Sequence, residues 1–337
     1  MRQRSWWTRA SVGAAGLSVL LVTGCGTTAD RETGTDSGEE AGPVENLSVL
    51  VPNSPGSGYD VTARAWAKVL EDTGAASNIE VTNVEGAGGT VGLQRLVNEE
   101  GDADLLMQMG LGVVGSVYTN KAEATLSDTV PVARLIEEAE AIVVPGSSPY
   151  QTLDDLVTAW KADPGGVTVG GASSPGGPDY LTPMLLAKAV GVEPTSVNYL
   201  AYDGGGELLA GLLGNKVAFG ATGVGEVAEQ AKTGDVRILA VTSEEPAEGV
   251  DAPTLKDEGI DLVFSNWRGV VAPPGIDDAR AEQWVDVMTQ MHESEEWQAA
   301  LAENGWTDAF ITGEEFGTFL ESENQRVGDV LKELGLA

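Results

Sequence analysis

Of 337 residues, only one is a cysteine and only one a histidine. A single cysteine, Cys25, excludes an intramolecular disulfide. The lone histidine, His292, lies in a polar helical stretch far from every glycine-rich loop and reads as a solvated surface residue. Without further His or Cys, neither a Ser-His-Asp triad, a Cys-His pair nor a histidine-based metal site can be built, so no catalytic residue, cofactor or metal is expected. Basic residues are also scarce: 19 Lys and Arg stand against 52 Asp and Glu, a net charge of −33. So acidic a surface repels phosphate backbones and anionic headgroups, which excludes nucleic acid and membrane binding through a basic patch. Aromatics make up 6% of the chain, and its eight tryptophans are mostly scattered. Beyond Val22 no apolar run approaches the roughly 20 residues that a membrane span needs. The phosphate-binding pattern GxxxxGK[ST] is absent, and Gly86–Gly92 has Val91 where a GxGxxG fingerprint needs its third glycine.

What is present begins at the N-terminus. Arg2, Arg4 and Arg9 precede an apolar stretch, Ala10–Val22, too short to span a bilayer, and no acid occurs before Cys25. The stretch ends in Val22-Thr23-Gly24-Cys25, which resembles the bacterial lipobox. Residues 1–24 therefore read as a lipoprotein signal peptide and Cys25 as the lipidation site, placing the protein in the cell envelope on the outer side of the cytoplasmic membrane. Losing the three arginines takes the net charge from −33 to −36. The polar, aperiodic residues 25–43 read as a flexible tether.

From Leu47 onward, short β-branched runs alternate with helical patterns. Strands are expected at Leu47–Val51, Asn78–Asn83, Asp104–Met109, Ala141–Val144, Gly166–Gly170, Val197–Leu200, Val217–Gly220 and Val236–Val241. Helices are expected at Tyr59–Asp72, Gly89–Asn98, Thr152–Lys161, Pro178–Val190, Gly205–Leu213 and Val224–Lys232, then at Asp277–Met291, Ser294–Asn304 and Gly313–Leu334. This is a βα repeat, the pattern of mostly parallel sheets flanked by helices. About 290 residues after the tether suggest two domains.

Glycine-rich loops recur where a strand hands over to a helix: 52–58, 86–90, 170–178 and 201–206. In open parallel sheets ligands bind outside the carboxyl ends of the strands, and each such loop offers amide N–H groups at the positive end of a helix dipole. Four converging loops could hold a polycarboxylate without any lysine or arginine. A screening length of about 8 Å lets local amides outweigh distant surface charge. Ser57-Gly-Tyr-Asp60 fits a capping box, which makes Asp60 structural and leaves Ser54, Gly56, Ser57 and Gly58 as ligand candidates. Asp179, Asp203 and Glu207 sit at helix starts, where capping is the ordinary explanation.

These loops resemble those of the tripartite tricarboxylate transporter substrate-binding proteins, the TctC or Bug family. Pro52-Asn-Ser-Pro-Gly-Ser-Gly-Tyr-Asp60 is similar to the family's Pro-x-x-Pro-Gly-Gly-x-x-Asp, and Asn83–Gly92 to its Asn-x-x-Gly-Ala-Gly-Gly-x-x-Gly. Pro149–Leu156, Tyr202-Asp-Gly204, Leu212–Val217, Leu239–Ser243, Pro253-Thr254 and Trp267–Pro274 continue the series in order. The resemblance implies a two-lobed, type II periplasmic-binding-protein fold of class α/β, each lobe a mostly parallel sheet flanked by helices. Lobe 1 would comprise 44–138 and 240–337, and lobe 2 139–239, with hinges near Glu137–Val143 and Val236–Val241.

It further implies a monomeric, non-enzymatic receptor that captures a small organic di- or tricarboxylate and delivers it to separate membrane subunits. Two other readings stay open: a ligand-presenting input for a membrane histidine kinase, and an extracellular carboxylate-dependent lyase or hydrolase. Carried over, the ligand-binding residues are Ser54, Gly56, Ser57 and Gly58, then Ala87, Gly88, Gly89 and Thr90, from the first two motifs. The other lobe would supply Ser173, Ser174, Tyr202, Gly204 and Gly205. Asp203 stands where the family carries lysine.

Overall fold

The computed structural model describes residues 44–337, apart from Asp203 and Glu248. The expected signal peptide, Cys25 and the tether lie outside the described residues. The fold opens with β1 (Val44–Glu45) and β2 (Ser48–Val51), followed by α1 (Gly58–Asp72). The Ser57 hydroxyl accepts from the Asp60 N–H at 3.4 Å to cap α1. Ala63, Trp66, Ala67 and Leu70 recur at helical spacing and bury one face of it. Trp66 is fully buried and its Nε1 donates to Gln108 Oε1 at 2.8 Å, so that it fastens α1 to the sheet beneath.

Next come β3 (Ala76–Ser77), β4 (Glu80–Asn83), α2 (Thr90–Asn98), β5 (Leu105–Gly110) and α3 (Leu111–Thr119). The middle of the chain forms β6 (Val130–Pro145), α4 (Leu153–Ala162), β7 (Val169–Gly171), α5 (Pro178–Val190), β8 (Tyr199–Ala201) and α6 (Gly205–Leu213). It goes on to β9 (Phe219–Gly223), α7 (Val224–Thr233) and β10 (Val236–Val241). The last part holds β11 (Ser265–Ala272), α8 (Asp278–His292), α9 (Glu295–Asn304), β12 (Thr307–Thr312) and α10 (Gly313–Glu333).

Two lobes result, each built on its own stretch of sheet. The first has the strand order β4-β2-β5-β11-β6 with β12 also on β6, and the second β6-β9-β7-β8 with β10 also on β6. The outer strands are parallel, as the βα repeat predicts: β2 with β4 and β5, and β7 with β8 and β9. The inner pairings, β6 with β9, β10, β11 and β12 and β11 with β5, are antiparallel, so each lobe is mixed rather than mostly parallel. Parallel pairing needs a crossover within one sheet. β6 instead leaves one lobe for the other, and β11 enters on the way back.

β6 is much longer than the expected Ala141–Val144, because its first half carries Pro131, Arg134, Glu137 and Glu138 and so lacks an apolar pattern. Residues 133–139 pair with β11 and β12, whereas residues 140–145 pair with β9 and β10. The return crossing lies later than residue 240. Leu255, Ile260 and Leu262 pack with Trp160 and Phe219 in the second lobe, and Phe264 is the first residue back in the first-lobe core. At this junction Thr242, fully buried, accepts from the Glu140 N–H at 2.9 Å and donates to Phe264 O at 2.6 Å.

α3, β11 and β12 were not expected. Leu111–Thr119, with its three valines, has no helical polar stripe to reveal α3. His292 is also less exposed than its sequence setting predicts. Its ring stacks on Phe310 at 4.1 Å and its Nε2 lies 2.8 Å from Asp308 Oδ2, which ties α8 to β12.

Candidate functional site

The second and third glycine loops meet across the lobes through α3, while the first lies against Arg268 and the fourth packs within its own lobe. In the first loop the Asp60 carboxylate accepts from the Gly56 N–H at 2.8 Å, Arg64 Nε at 3.0 Å and Asn83 Nδ2 at 3.0 Å. Burial alone would raise its pKa, but these donors outweigh burial and hold the carboxyl below the usual range. Asp60 is thus spent on shaping the loop that carries Ser54, Gly56, Ser57 and Gly58, which are exposed or half-buried.

In the second loop Gly88 has φ +61, and a Cβ there would fall 2.1 Å from Ser116 Oγ on α3. Asn120, just past the end of α3, donates to Ala87 O at 2.9 Å. Ala87 and Gly88 are exposed, whereas Gly89 and Thr90 are buried at the start of α2. On α3, a Cβ at Gly115 would fall 1.8 Å from Gly176 O in the third loop, so backbones of the two lobes touch there.

In the third loop the Ser173 hydroxyl accepts from the Asp179 N–H at 3.1 Å, and Asp179 Oδ2 accepts from the Ala172 N–H at 2.6 Å. The Asp179 carboxylate thus ties the third loop to α5 rather than capping the helix, which its position at a helix start suggested. Asp179 is nevertheless buried at 6% exposure, and burial followed by the charge of Glu226 pushes it up to about 8. Ser174 is exposed. In the fourth loop a Cβ at Gly205 would fall 2.3 Å from Glu226 Oε2. The Tyr202 ring packs against Gly170 and Gly211 inside its own lobe. Gly204 has an extended backbone, and Asp203 lies outside the described residues.

A buried arginine lies against the first loop. Arg268 on β11 is buried, and a Cβ at Gly58 would fall 2.5 Å from its Nη2. It pairs with the buried Glu138 at 2.9 Å and donates to Thr62 Oγ1 at 3.2 Å. Glu138 in turn lies against Gly223 and Gly225 of the second lobe. One buried ion pair of the first lobe therefore lies against the second. Glu140, two residues along β6, is fully buried, and neither of its carboxylate oxygens has a hydrogen-bond partner. Burial raises its pKa well above the usual range, reinforced by Asp179, Glu138 and Glu226 and opposed by Arg268.

The sequence model of one protein family, described as the tripartite tricarboxylate transporter family receptor (TctC), matches residues 62–336. The chain belongs to the TctC family. Protein BugT of Bordetella pertussis is 28% identical over 304 residues, covering 87% of this chain and 90% of that protein. MatC from Rhodopseudomonas palustris, solved with bound malate, superposes with a TM-score of 0.71 at 21% identity, covering 86% of this chain and 99% of its own. A second protein of R. palustris, solved with adipate, gives 0.76 at 21% identity, covering 87% and 98%. At that identity these structures speak for the fold, which is the two-lobed periplasmic-binding-protein arrangement expected. TctC proteins are receptors of transport systems rather than enzymes, and the family is extracytoplasmic. Among the described residues no helix is long and apolar enough to cross a membrane.

Sequence reasoning found the TctC loops but missed Arg268, Glu138, Glu140 and Glu226. Arg268 falls within a stretch matched to the family but never read as a strand. Glu138 and Glu140 gave a usable signal: two acids on the same face of a run that is otherwise apolar from Ala139 to Val144.

Proposed function

We propose that the protein is a lipid-anchored receptor that closes its two lobes over a small organic carboxylate and hands it to the membrane subunits of a tripartite tricarboxylate-type transporter. The single observation that carries this is the close approach of the two lobes' loops, Gly115 on α3 against Gly176 in the third loop, in a chain of the TctC family. The ligand carboxylate would lie at Ser54, Gly56, Ser57 and Gly58 and at Ala87–Thr90, where backbone amides and helix N-termini favour an anion. Ser173, Ser174, Gly204 and Gly205 would close from the second lobe, while Tyr202 and Asp60 hold their loops in shape. Relatives solved with malate and with adipate support a carboxylate of this size. Closure would bend β6 at Glu137–Glu140 and the return segment at Thr242–Phe264.

Thermal-shift screening of the purified protein against a broad panel of organic acids tests the reading. A receptor should gain several degrees with at least one acid at saturating concentration, through the binding-linkage term. A flat response across the panel would remove the assignment.

A further inference from the structure

Two buried carboxyls lie where the lobes close on one another. Glu140 on β6 is fully buried, and neither of its oxygens has a hydrogen-bond partner. Asp179 at the start of α5 is buried as well, with Oδ2 tied to the Ala172 N–H. The charged groups around them are mostly acidic. Glu138 on β6 is matched by Arg268 on β11, and Glu226 on α7 stands exposed at the edge, where its Oε2 accepts from the Thr222 hydroxyl. Tyr199 on β8 adds a neutral hydroxyl, which donates to Ser173 O at 2.7 Å. One guanidinium therefore faces four carboxyls.

The first lobe covers both groups. On α3, a Cβ at Gly112 would fall 3.7 Å from Pro178 Cδ, and Gly115 touches Gly176, so α3 lies against the residues that lead into Asp179. The Glu138 carboxylate lies against Gly223, the β9 residue paired with Glu140. Swinging the first lobe away would remove both covers and admit water.

A carboxylate without donors is costly to bury, whereas its neutral form loses far less. Glu140 has no donor, and the one nearby cation is already paired with Glu138. Burial, then the charges of Asp179, Glu138 and Glu226, accordingly favours its protonated form. We propose that Glu140 and Asp179 form a proton-binding site that governs closure: the closed receptor holds protons there, and the open receptor sheds them to water. The proposal takes lobe closure from the receptor reading and adds what regulates it. The sign follows from linkage. Protons held more tightly in the closed form favour closure at low pH, and that preference is lost as pH rises through the closed-state value. For Asp179, burial followed by Glu226 sets the window from 3.8 to about 8.

Small-angle X-ray scattering of the ligand-free protein at pH 5 and pH 8, at one ionic strength, tests this. The radius of gyration should be smaller at pH 5. Glu140→Gln and, separately, Asp179→Asn replace the titrating group with an uncharged one of the same shape, and each should keep the contracted form at pH 8. Urea unfolding checks that both variants remain folded. Equal radii at the two pH values in the parent would overturn the inference. So would a pH-dependent contraction that persists unchanged in both variants, which would assign it to the charge of the acidic surface. Neither result depends on a ligand, so the organic-acid panel still decides the receptor reading by itself.

Discussion

At the scale of single residues, the site depends on groups whose environment contradicts their ordinary chemistry. Gly88 sits at φ +61 with Ser116 Oγ where a Cβ would need to be. Gly88→Val must either push α3 away or pull the loop from its place, and the left-handed backbone adds about 1–2 kcal/mol. The variant should unfold at modestly lower urea and show no thermal shift with the acid that stabilises the parent. A retained shift would place the ligand elsewhere. Asp179 supplies a pH prediction. Burial and Glu226 lift its carboxyl from 3.8 to about 8 in the folded chain. Between those values the native state holds a proton that the unfolded state has released. The stabilisation is therefore complete below about pH 4 and is lost as pH rises through 8, with a slope of up to about 1.4 kcal/mol per pH unit. Ligand-free protein should be more stable to urea at pH 5 than at pH 8, and Asp179→Asn should shrink that difference. An unchanged difference would mean that Asp179 titrates normally and that the acid dependence arises from the rest of the surface.

At the scale of elements, β6 is the part on which both lobes depend, and it was the least legible from sequence. The outer βα units were readable because each has a single job: β2 and β9 are buried apolar runs, and α1 and α4 carry their own caps at Ser57 and Thr152. The glycine loops were readable because only glycine tolerates such close backbone approach, as between Gly115 and Gly176. β6 and β11 instead place charged residues where a buried strand should be apolar, and those charges make sense only once Arg268 meets Glu138 across 130 positions of chain. No local pattern encodes that pairing. α3 was hidden for the opposite reason: it is buried almost all round and so carries no amphipathic period. The junction itself can be tested at Thr242. Thr242→Val keeps the shape but removes two buried hydrogen bonds, to the Glu140 N–H and to Phe264 O. A loss of roughly 2–4 kcal/mol in urea unfolding is expected. A loss below about 1 kcal/mol would show that the backbone pairs Thr242 with Glu140 and Phe264 with Thr242 hold the junction unaided.

At the scale of the whole molecule, acidity and anchoring have to be considered together. A body with a large negative charge is repelled by anionic headgroups, so attraction to the bilayer cannot bring it to a membrane partner. On the proposed reading a lipid on Cys25 would solve this without any basic patch. Held close to the membrane in this way, the receptor would meet the proposed transporter at a high effective concentration, and modest docking affinity would suffice. The exchange of Cys25 for serine should therefore separate two properties that the proposed anchor would combine. In a bacterial host that processes lipoproteins, C25S should move from the membrane pellet to the soluble extracytoplasmic fraction, with its ligand affinity unchanged. Uptake of ligand at low external concentration should fall, because the receptor is diluted away from its partner while its cleft stays intact. Persistence of C25S in the pellet would locate the membrane contact in the signal segment or the folded body, and the lipid would lose the role assigned to it.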